Sequence, residues 1–215
     1  RALSRKGDIG TKDSKGSKIY LNAQTWAVLA DVADDEKLPE LLRSVDEMER
    51  DFGFPLNDPP YQIYDAHVGR MSGKQWPGLF ENGGVYCHAT GFKILMDCKV
   101  GRASKALQTL KKIMPDSEKN PSSRSGAEPY VFTNCYSTHP GYYGKSYQSW
   151  TTGTSVWCLM GIYEGIMGVK RDYEGLKIVP CFPAEWENAE MTRHFRGADY
   201  HIVIQNPQHV ENGKG

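Results

Sequence analysis

The sequence lacks a long apolar run, an excess of one charge and the apolar core of a signal peptide. None of its apolar runs approaches the roughly 18 residues that a membrane-spanning helix requires. Lys plus Arg and Asp plus Glu both total 26 in the 215 residues. Neither a nucleic acid nor a membrane is therefore expected as a partner. The basic, glycine-rich beginning of the chain predicts no leader peptide.

Cysteine pairs at metal-binding or redox spacing are also missing. The cysteines are odd in number and scattered, with no CxxC pair: Cys87, Cys98, Cys135, Cys158 and Cys181. Most stand in apolar contexts, which predicts reduced core residues of a cytoplasmic protein. The chain also contains no Walker loop, GxGxxG, GxSxG or HExxH motif. We therefore expect no cofactor and no metal ion.

Aromatic residues are abundant, with 12 Tyr, 7 Phe and 5 Trp making up 11% of the chain. Tyr and Trp beside polar residues and Gly suit a sugar site, because a pyranose presents an apolar face and a ring of hydroxyls. Aromatic core packing explains the same composition without a ligand.

Apolar periodicity predicts helices separated by long loops. The helices are expected over 22–33, 38–52, 85–100, 102–114 and, as a buried helix, 156–169. Gly- and aromatic-rich loops over 53–84 and 128–150 are too long to be idle connections. Alternating residues over 176–183 and 189–206 predict strands, with a hairpin turn at Arg196–Gly197. The expected architecture is stacked helical hairpins followed by part of a β-sandwich.

The segment SWTTGTSVW places hydroxyl residues and Gly153 directly before the last predicted helix. Thr151 or Thr152 could simply cap free backbone N–H groups. Alternatively, these N–H groups, the hydroxyls and the accessible glycine form an anion site. The segment alone leaves both interpretations open.

Further candidates lie in the loops at helix starts. Glu81, before the pair Gly83–Gly84, and His88 could face one cavity and bind sugar hydroxyls and an anion. They could equally be a helix-start charge and a satisfied core histidine. Asn134 carries both a donor and an acceptor for a hydroxyl. The remaining, equally ambiguous candidates are Glu128, His139, Tyr64, Asp65, His67 and Arg70.

Together, several segments resemble the cellobiose phosphorylase family, glycoside hydrolase family 94, over nearly the whole chain. The segments occur in the family's order: KIYLNAQTWAVL, PGLFENGGVYCHA, EPYVFTNCY, SWTTGTSVW, GVKRDYEGLKIVPCFPAEW and RHFRGADYHI. The resemblance implies a mainly α fold. Residues 1–170 would form the C-terminal part of an (α/α)6 catalytic barrel, and residues 171–215 the start of a C-terminal β-domain.

The resemblance also implies reversible, inverting phosphorolysis of β-glucosidic bonds in cellobiose- or cellodextrin-type sugars, giving glucose 1-phosphate. His88, Thr152 and Gly153 match the phosphate pocket, and Glu81 matches a sugar-binding glutamate. Asn134 stands where cellobiose phosphorylases carry a glutamine, so this sugar contact would be shortened. Inorganic phosphate is then a co-substrate beside the β-linked glucosyl oligosaccharide, and the complete enzyme would be a cytoplasmic homodimer.

Phosphate arrives as an anion, so one carboxylic acid suffices where an inverting hydrolase needs an acid and a base. The family's acid is an aspartate upstream of the segment that matches KIYLNAQTWAVL, and no matching block exists here. No catalytic residue is therefore assigned, and the 215 residues alone are expected to be inactive. An inverting hydrolase and a non-catalytic sugar-binding remnant are the alternatives. The NCYSTH segment also resembles the chitobiose branch.

Overall fold

The computed structural model describes residues 2–4 and 7–211. The helices are α1 Leu21–Leu29, α2 Leu38–Asp46, α3 Arg70–Lys74, α4 Cys87–Lys99, α5 Ala103–Ile113, α6 Ser122–Ser125 and α7 Thr154–Met160. A 3-10 turn, Pro140–Tyr142, precedes β7, and a π-helical segment, Gly161–Ile166, continues α7. The strands are β1 Ala2–Ser4, β2 Gly7–Ile9, β3 Ile19–Tyr20, β4 Asn57–Asp58, β5 Val85–Tyr86, β6 Thr133–Tyr136, β7 Ser146–Ser149, β8 Val169–Arg171, β9 Leu176–Ile178, β10 Asn188–Phe195 and β11 Ala198–Gln205.

Helix α4 is the centre of the core, because apolar residues on both of its sides are buried. On one side, Ile94 packs in a cluster with residues of α5 and the last helix. On the other side, Ala89 and Met96 pack in a cluster with residues of α1 and α2. Helix α4 is therefore buried nearly all round, including the polar side chains of Thr90, Lys93 and Asp97.

Glycines allow the last helix to approach α4 closely. A β-carbon on Gly91 would lie 2.7 Å from Cβ of Trp157, and one on Gly161 would lie 2.8 Å from Cγ2 of Ile94. Distances this short do not occur between side-chain carbons, so both positions require glycine at this spacing. The π-helical segment begins at Gly161, within this contact.

A three-stranded antiparallel sheet closes the core beside the start of α4. Strand β6 lies in the middle, pairing Tyr86 with Cys135 on one side and Cys135 with Tyr147 on the other. Strand β5 leads directly into α4, and β7 leads through a short loop to α7. The sheet therefore holds the starts of these two helices near each other.

The C-terminal residues form two β-hairpins, as the alternation predicted. Strands β10 and β11 pair in register from Asn188 opposite Gln205 to Phe195 opposite Ala198. The turn residues Arg196 and Gly197 both have positive φ, at 50° and 80°, as a tight two-residue hairpin requires. A separate apolar cluster that includes Phe182 and Ile202 joins the hairpins to the end of the last helix.

Four of the predicted helices are confirmed, although several are shorter than expected. The helix starts at Thr154 as expected, but the expectation of a buried helix over 156–169 needs correction, because this helix ends at Ile166 and is only partly buried. Val156 and Leu159 are 57% and 48% exposed, since only one face of this helix meets α4. The expectation that strands are confined to the C-terminal part is wrong, because β3–β4 and the β5–β6–β7 sheet lie among the helices.

The described residues combine these helices with several small β-sheets of two or three strands. Within the described ranges, no helix combines the length and apolar character needed to cross a bilayer.

A buried ion pair lies within α4 and contacts α5 through Thr109. Lys93 and Asp97 are fully buried and form a hydrogen-bonded salt bridge. The Lys93 ammonium also donates to Thr109 Oγ1 at 3.2 Å and lies 4.3 Å from the Phe54 ring centroid. Burial lowers the pKa of Lys93 and raises the pKa of Asp97, whereas their mutual attraction opposes both shifts. Each of the two side chains is therefore kept in its charged form by the other.

We predict that Asp97→Ala lowers the free energy of unfolding by about 3–5 kcal/mol, because it leaves the Lys93 ammonium buried and uncompensated. Urea unfolding followed by circular dichroism measures the change. Glu40→Ala, which breaks the exposed pair with Lys12, is the control and should leave the midpoint nearly unchanged. Equal effects of the two substitutions would contradict the assignment.

Candidate functional site

His88 lies in the first turn of α4, between two aromatic rings. Its ring centroid is 4.6 Å from that of Tyr86 and 5.6 Å from that of Phe92, both in edge or tilted contacts. The side chain is half-buried, and burial lowers its pKa below the ordinary 6.5. The imidazole is therefore neutral at pH 7, with one N–H to donate and one nitrogen to accept.

Thr152 lies in the loop between β7 and α7, outside the helix that it precedes. Its Oγ1 accepts a hydrogen bond from the Thr154 backbone N–H at 3.1 Å and lies 2.7 Å from Thr154 Oγ1. Gly153 occupies the N-cap position and provides no side-chain cap. Thr152 therefore satisfies one amide of the helix start, as the capping interpretation expected, although from one residue before the cap.

Two other backbone N–H groups of this loop also have hydrogen-bond acceptors. The Thr151 N–H donates to the Ser149 carbonyl at 2.9 Å, and the Thr152 N–H donates to the Trp150 carbonyl at 3.1 Å. Gly153 is exposed. A β-carbon at this position would have one neighbouring atom within 4 Å, Trp157 Cδ1 at 3.8 Å. The loop therefore offers its most accessible backbone at Gly153 rather than along the whole threonine segment.

Asn134 connects the two regions. Its Nδ2 donates to the Gln148 Oε1 at 2.9 Å and to the Tyr86 hydroxyl at 3.3 Å, and its Oδ1 accepts from Thr152 Oγ1 at 3.2 Å. The side chain is only 5% exposed. Tyr86, His88, Asn134, Gln148 and Thr152 thus form one connected group, called here the Asn134 cluster.

The structure therefore brings three of the predicted site residues into this cluster: His88, Asn134 and Thr152. Gly153 adjoins them through the chain. Sequence analysis missed Tyr86 and Gln148, whose only signal was their position beside a candidate residue or in the aromatic loop.

Strained backbone flanks the cluster on the β7 side. Gln148 and Trp150 adopt left-handed φ values of 56° and 71°, which cost energy for residues other than glycine. The Trp150 indole N–H donates to Glu128 Oε1 at 3.0 Å, and this bond lowers the pKa of the Glu128 carboxyl. Side-chain contacts to Asn134 and Glu128 therefore hold this loop in place.

Glu81 lies outside the hydrogen-bonded Asn134 cluster. Its carboxylate accepts a hydrogen bond from the Gln75 side chain. Within residues 7–211, no hydrogen bond links Glu81 to His88 or Thr152. The buried Asn82 next to it accepts from the Tyr61 N–H at 2.7 Å and donates to the Tyr61 and Gln75 carbonyls. Asn82 thereby shapes the turn that carries Glu81, a role that the sequence did not reveal.

The remaining candidates make local contacts. His139 Nδ1 accepts from the Gly141 N–H at 3.1 Å, and His67 Nδ1 lies 2.9 Å from Asp65 Oδ1. A cleft of about 830 Å³ borders Tyr64, Asp65 and His67 but not the Asn134 cluster. Across residues 7–211, no group of three or more His, Cys, Asp or Glu side chains could hold a metal ion.

The comparisons with known proteins identify the chain's family. The model of the glycosyl hydrolase 94 superfamily catalytic domain matches residues 1–168. The chain belongs to this superfamily. It is 39% identical to the solabiose phosphorylase of Paenibacillus borealis, over 95% of this chain and 27% of that protein.

Two further relatives of this chain are also named phosphorylases. The 3-O-beta-D-glucopyranosyl-beta-D-glucuronide phosphorylase of Paenibacillus borealis is 37% identical over 95% of this chain and 27% of its own length. The N,N'-diacetylchitobiose phosphorylase of Vibrio proteolyticus is 31% identical over 99% of this chain and 27% of its own length. The chain thus spans about a quarter of each of these relatives.

We predict that His88 makes the protein less stable as the pH falls from 7 to 5.5. The unfolded chain binds a proton near pH 6.5, whereas the folded imidazole, with its lowered pKa, resists protonation. Stability is therefore lost as the pH falls below 6.5. The urea midpoint at both pH values measures the change, which should shrink in His88→Gln. The exposed His201→Gln is the control, and an equal reduction in both variants would refute the role of His88.

Proposed function

We propose that the protein containing this chain is a glycoside phosphorylase, in which inorganic phosphate cleaves a β-linked sugar with inversion. Membership of the superfamily and the names of the relatives support this reaction class. The observation that carries the proposal is the Asn134 cluster, which links Thr152 to the rings of Tyr86 and His88.

The Asn134 cluster suits phosphate because it combines uncharged hydrogen-bond donors with a hydroxyl group that can rotate. The His88 N–H and the backbone at Gly153 can hydrogen-bond an anion, and the Thr152 hydroxyl can do so when its proton turns away from Asn134 Oδ1. Such bonds to a charged group are among the stronger ones in proteins. A neutral imidazole carries no positive charge of its own, and a bound phosphate would favour its protonation. The rings of Tyr86 and Phe92 cover part of the His88 imidazole, which lowers the local polarity and strengthens these interactions.

Phosphate needs no general base, because it is already an anion. The protein must hold it in line with the anomeric carbon and offset its desolvation. One carboxylic acid then protonates the leaving oxygen. We place this acid on an aspartate outside the 215 residues, so the chain's own contribution is phosphate binding and part of the sugar site.

The proposed substrate is a β-linked glucosyl disaccharide or oligosaccharide of the cellobiose type, with glucose 1-phosphate as product. Glu81 is proposed to bind the sugar, with Gln75 orienting its carboxylate. Asn134 is proposed to support the sugar site indirectly, because its amide is already hydrogen-bonded to Gln148, Tyr86 and Thr152.

For the fold, we propose that residues 1–170 contribute paired helices to an (α/α)6 barrel and that residues 171–215 begin a β-domain.

We predict that Thr152→Val and His88→Ala raise the KM for phosphate about tenfold to a hundredfold in the complete protein, because each removes a hydrogen bond to a charged group. Initial rates of glucose 1-phosphate release at varied phosphate concentration measure this effect. Thr151→Val is the matched control, because Thr151 is exposed on the same loop. Thermal melting of each variant confirms that it folds.

The phosphate requirement itself separates the reaction classes. A phosphorylase releases no sugar product without phosphate, whereas a hydrolase on the same scaffold would release free sugar at an unchanged rate. Product formation without phosphate would refute the proposed function. An unchanged phosphate KM in both variants would refute the assigned site while leaving the reaction class intact.

A further inference from the structure

Two large aromatic side chains lie exposed on the surface beside the Asn134 cluster. Tyr130 is 73% exposed and Trp150 is 66% exposed. Their ring centroids are 6.3 Å apart, and the ring planes meet at 72°. The two rings therefore form a nearly right-angled apolar surface, called here the Tyr130–Trp150 corner. Adjoining aromatic rings that stay exposed are typical of a binding surface, because the core gains little from them.

A tight turn sets the position of Tyr130. The Val131 N–H donates to the Glu128 carbonyl at 3.2 Å, which closes a β-turn with Pro129 and Tyr130 at its centre. Pro129 favours this turn through its fixed φ, and the buried side chain of Val131 anchors the turn in the protein. Tyr130 therefore projects from a fixed turn rather than from a long free loop.

The Trp150 indole is held by the side chain of Glu128. Its N–H donates to Glu128 Oε1 at 3.0 Å. This bond lowers the pKa of the Glu128 carboxyl, so the group is a carboxylate at neutral pH and can accept further hydrogen bonds. The backbone of Trp150 is left-handed, with φ at 71°, which costs energy for a residue with a side chain. An exposed tryptophan that is both strained and fixed points to a role in binding.

The backbone joins the Tyr130–Trp150 corner to the proposed phosphate ligand. The Thr152 N–H donates to the Trp150 carbonyl at 3.1 Å. Earlier in the same strand and loop, the Gln148 side chain accepts from Asn134 at 2.9 Å. An attacking phosphate oxygen must lie about 3–3.5 Å from the anomeric carbon. A sugar ring that is attacked by a phosphate at Thr152 therefore lies beside the loop that carries Trp150.

We propose that the Tyr130–Trp150 corner is the stacking platform for the glucosyl unit that is transferred to phosphate, and that the Glu128 carboxylate accepts a hydrogen bond from one hydroxyl of this unit. The inference rests on the proposed function and adds these residues to its sugar site. A glucosyl ring with equatorial hydroxyls presents C–H groups on its two faces, and such a face packs against an aromatic ring. Trp150 supplies the flat surface, Tyr130 borders the edge of the sugar, and Glu128 lies at the rim.

The first test measures initial rates of the complete protein in both directions of the reaction. Trp150→Ala and Tyr130→Ala should each raise the KM for glucose 1-phosphate in synthesis about three- to tenfold, because each removes an aromatic contact. Glu128→Gln should raise the same KM. The KM for the acceptor sugar, and the KM for inorganic phosphate in phosphorolysis, should stay nearly unchanged. Tyr173→Ala, which removes an exposed tyrosine near the C-terminal hairpins, is the control and should change none of the three.

The second test follows tryptophan fluorescence of the complete protein during quenching by acrylamide. The contribution of Trp150 is the difference between the unmodified sequence and Trp150→Phe. We expect saturating glucose 1-phosphate to shield this contribution from acrylamide, whereas inorganic phosphate alone should not. Because both ligands carry the phosphate group, the difference between them reports contact with the sugar ring.

Several results would overturn the proposal. Equal rises in the KM for phosphate and for glucose 1-phosphate would show that the rings only position the Thr152 loop. A larger rise in the acceptor KM would place the corner at the leaving sugar. A Trp150 contribution that is shielded without ligand would show that another part of the complete protein covers the corner.

The two proposals fail in different ways. Cleavage that does not require phosphate refutes the proposed function. Phosphate-dependent cleavage with unchanged KM values in all the corner variants refutes the platform alone. If Trp150→Ala fails to fold, Tyr130→Ala and the quenching comparison with Trp150→Phe decide the question.

Discussion

The close contact between α4 and the last helix is the constraint on which the rest of the structure depends. Gly91 and Gly161 allow the two helices to approach at a distance that any side chain would prevent. Because β5 leads into α4 and β7 leads towards α7, this contact also sets the separation of the two helix starts. The Asn134 cluster fills the space between them. A wider helix spacing would separate Thr152 from Tyr86 and His88.

Buried polar groups specify one arrangement of the packed segments, whereas apolar contacts alone would only make the protein compact. Asn134 has three partners on three different segments, so its hydrogen bonds are satisfied only when β5, β7 and the threonine loop all occupy their places. Lys93 has the same property, because its ammonium contacts Asp97 on α4, Thr109 on α5 and the ring of Phe54. An unsatisfied buried group is costly, so misplacing any one segment is penalised at several sites. The strain at Gln148 and Trp150 is maintained by this network.

Helix α4 thus joins two chemical features that differ in kind. Its first turn carries a half-buried imidazole with a lowered pKa, and its middle carries a buried ion pair. Burial is the common physical cause. It disfavours charge on His88 and forces Lys93 to pair.

The sequence by itself determined the family and part of the local structure. Apolar periodicity located four helices, and Arg196–Gly197 predicted the hairpin turn, because both signals depend on neighbouring residues alone. The loop residues His88, Asn134 and Thr152 were found through motifs. Only the tertiary structure decided that Tyr86 and Gln148 join them and that Val156 and Leu159 are exposed. Such contacts depend on how long loops close and which helix faces meet, and no local pattern encodes either.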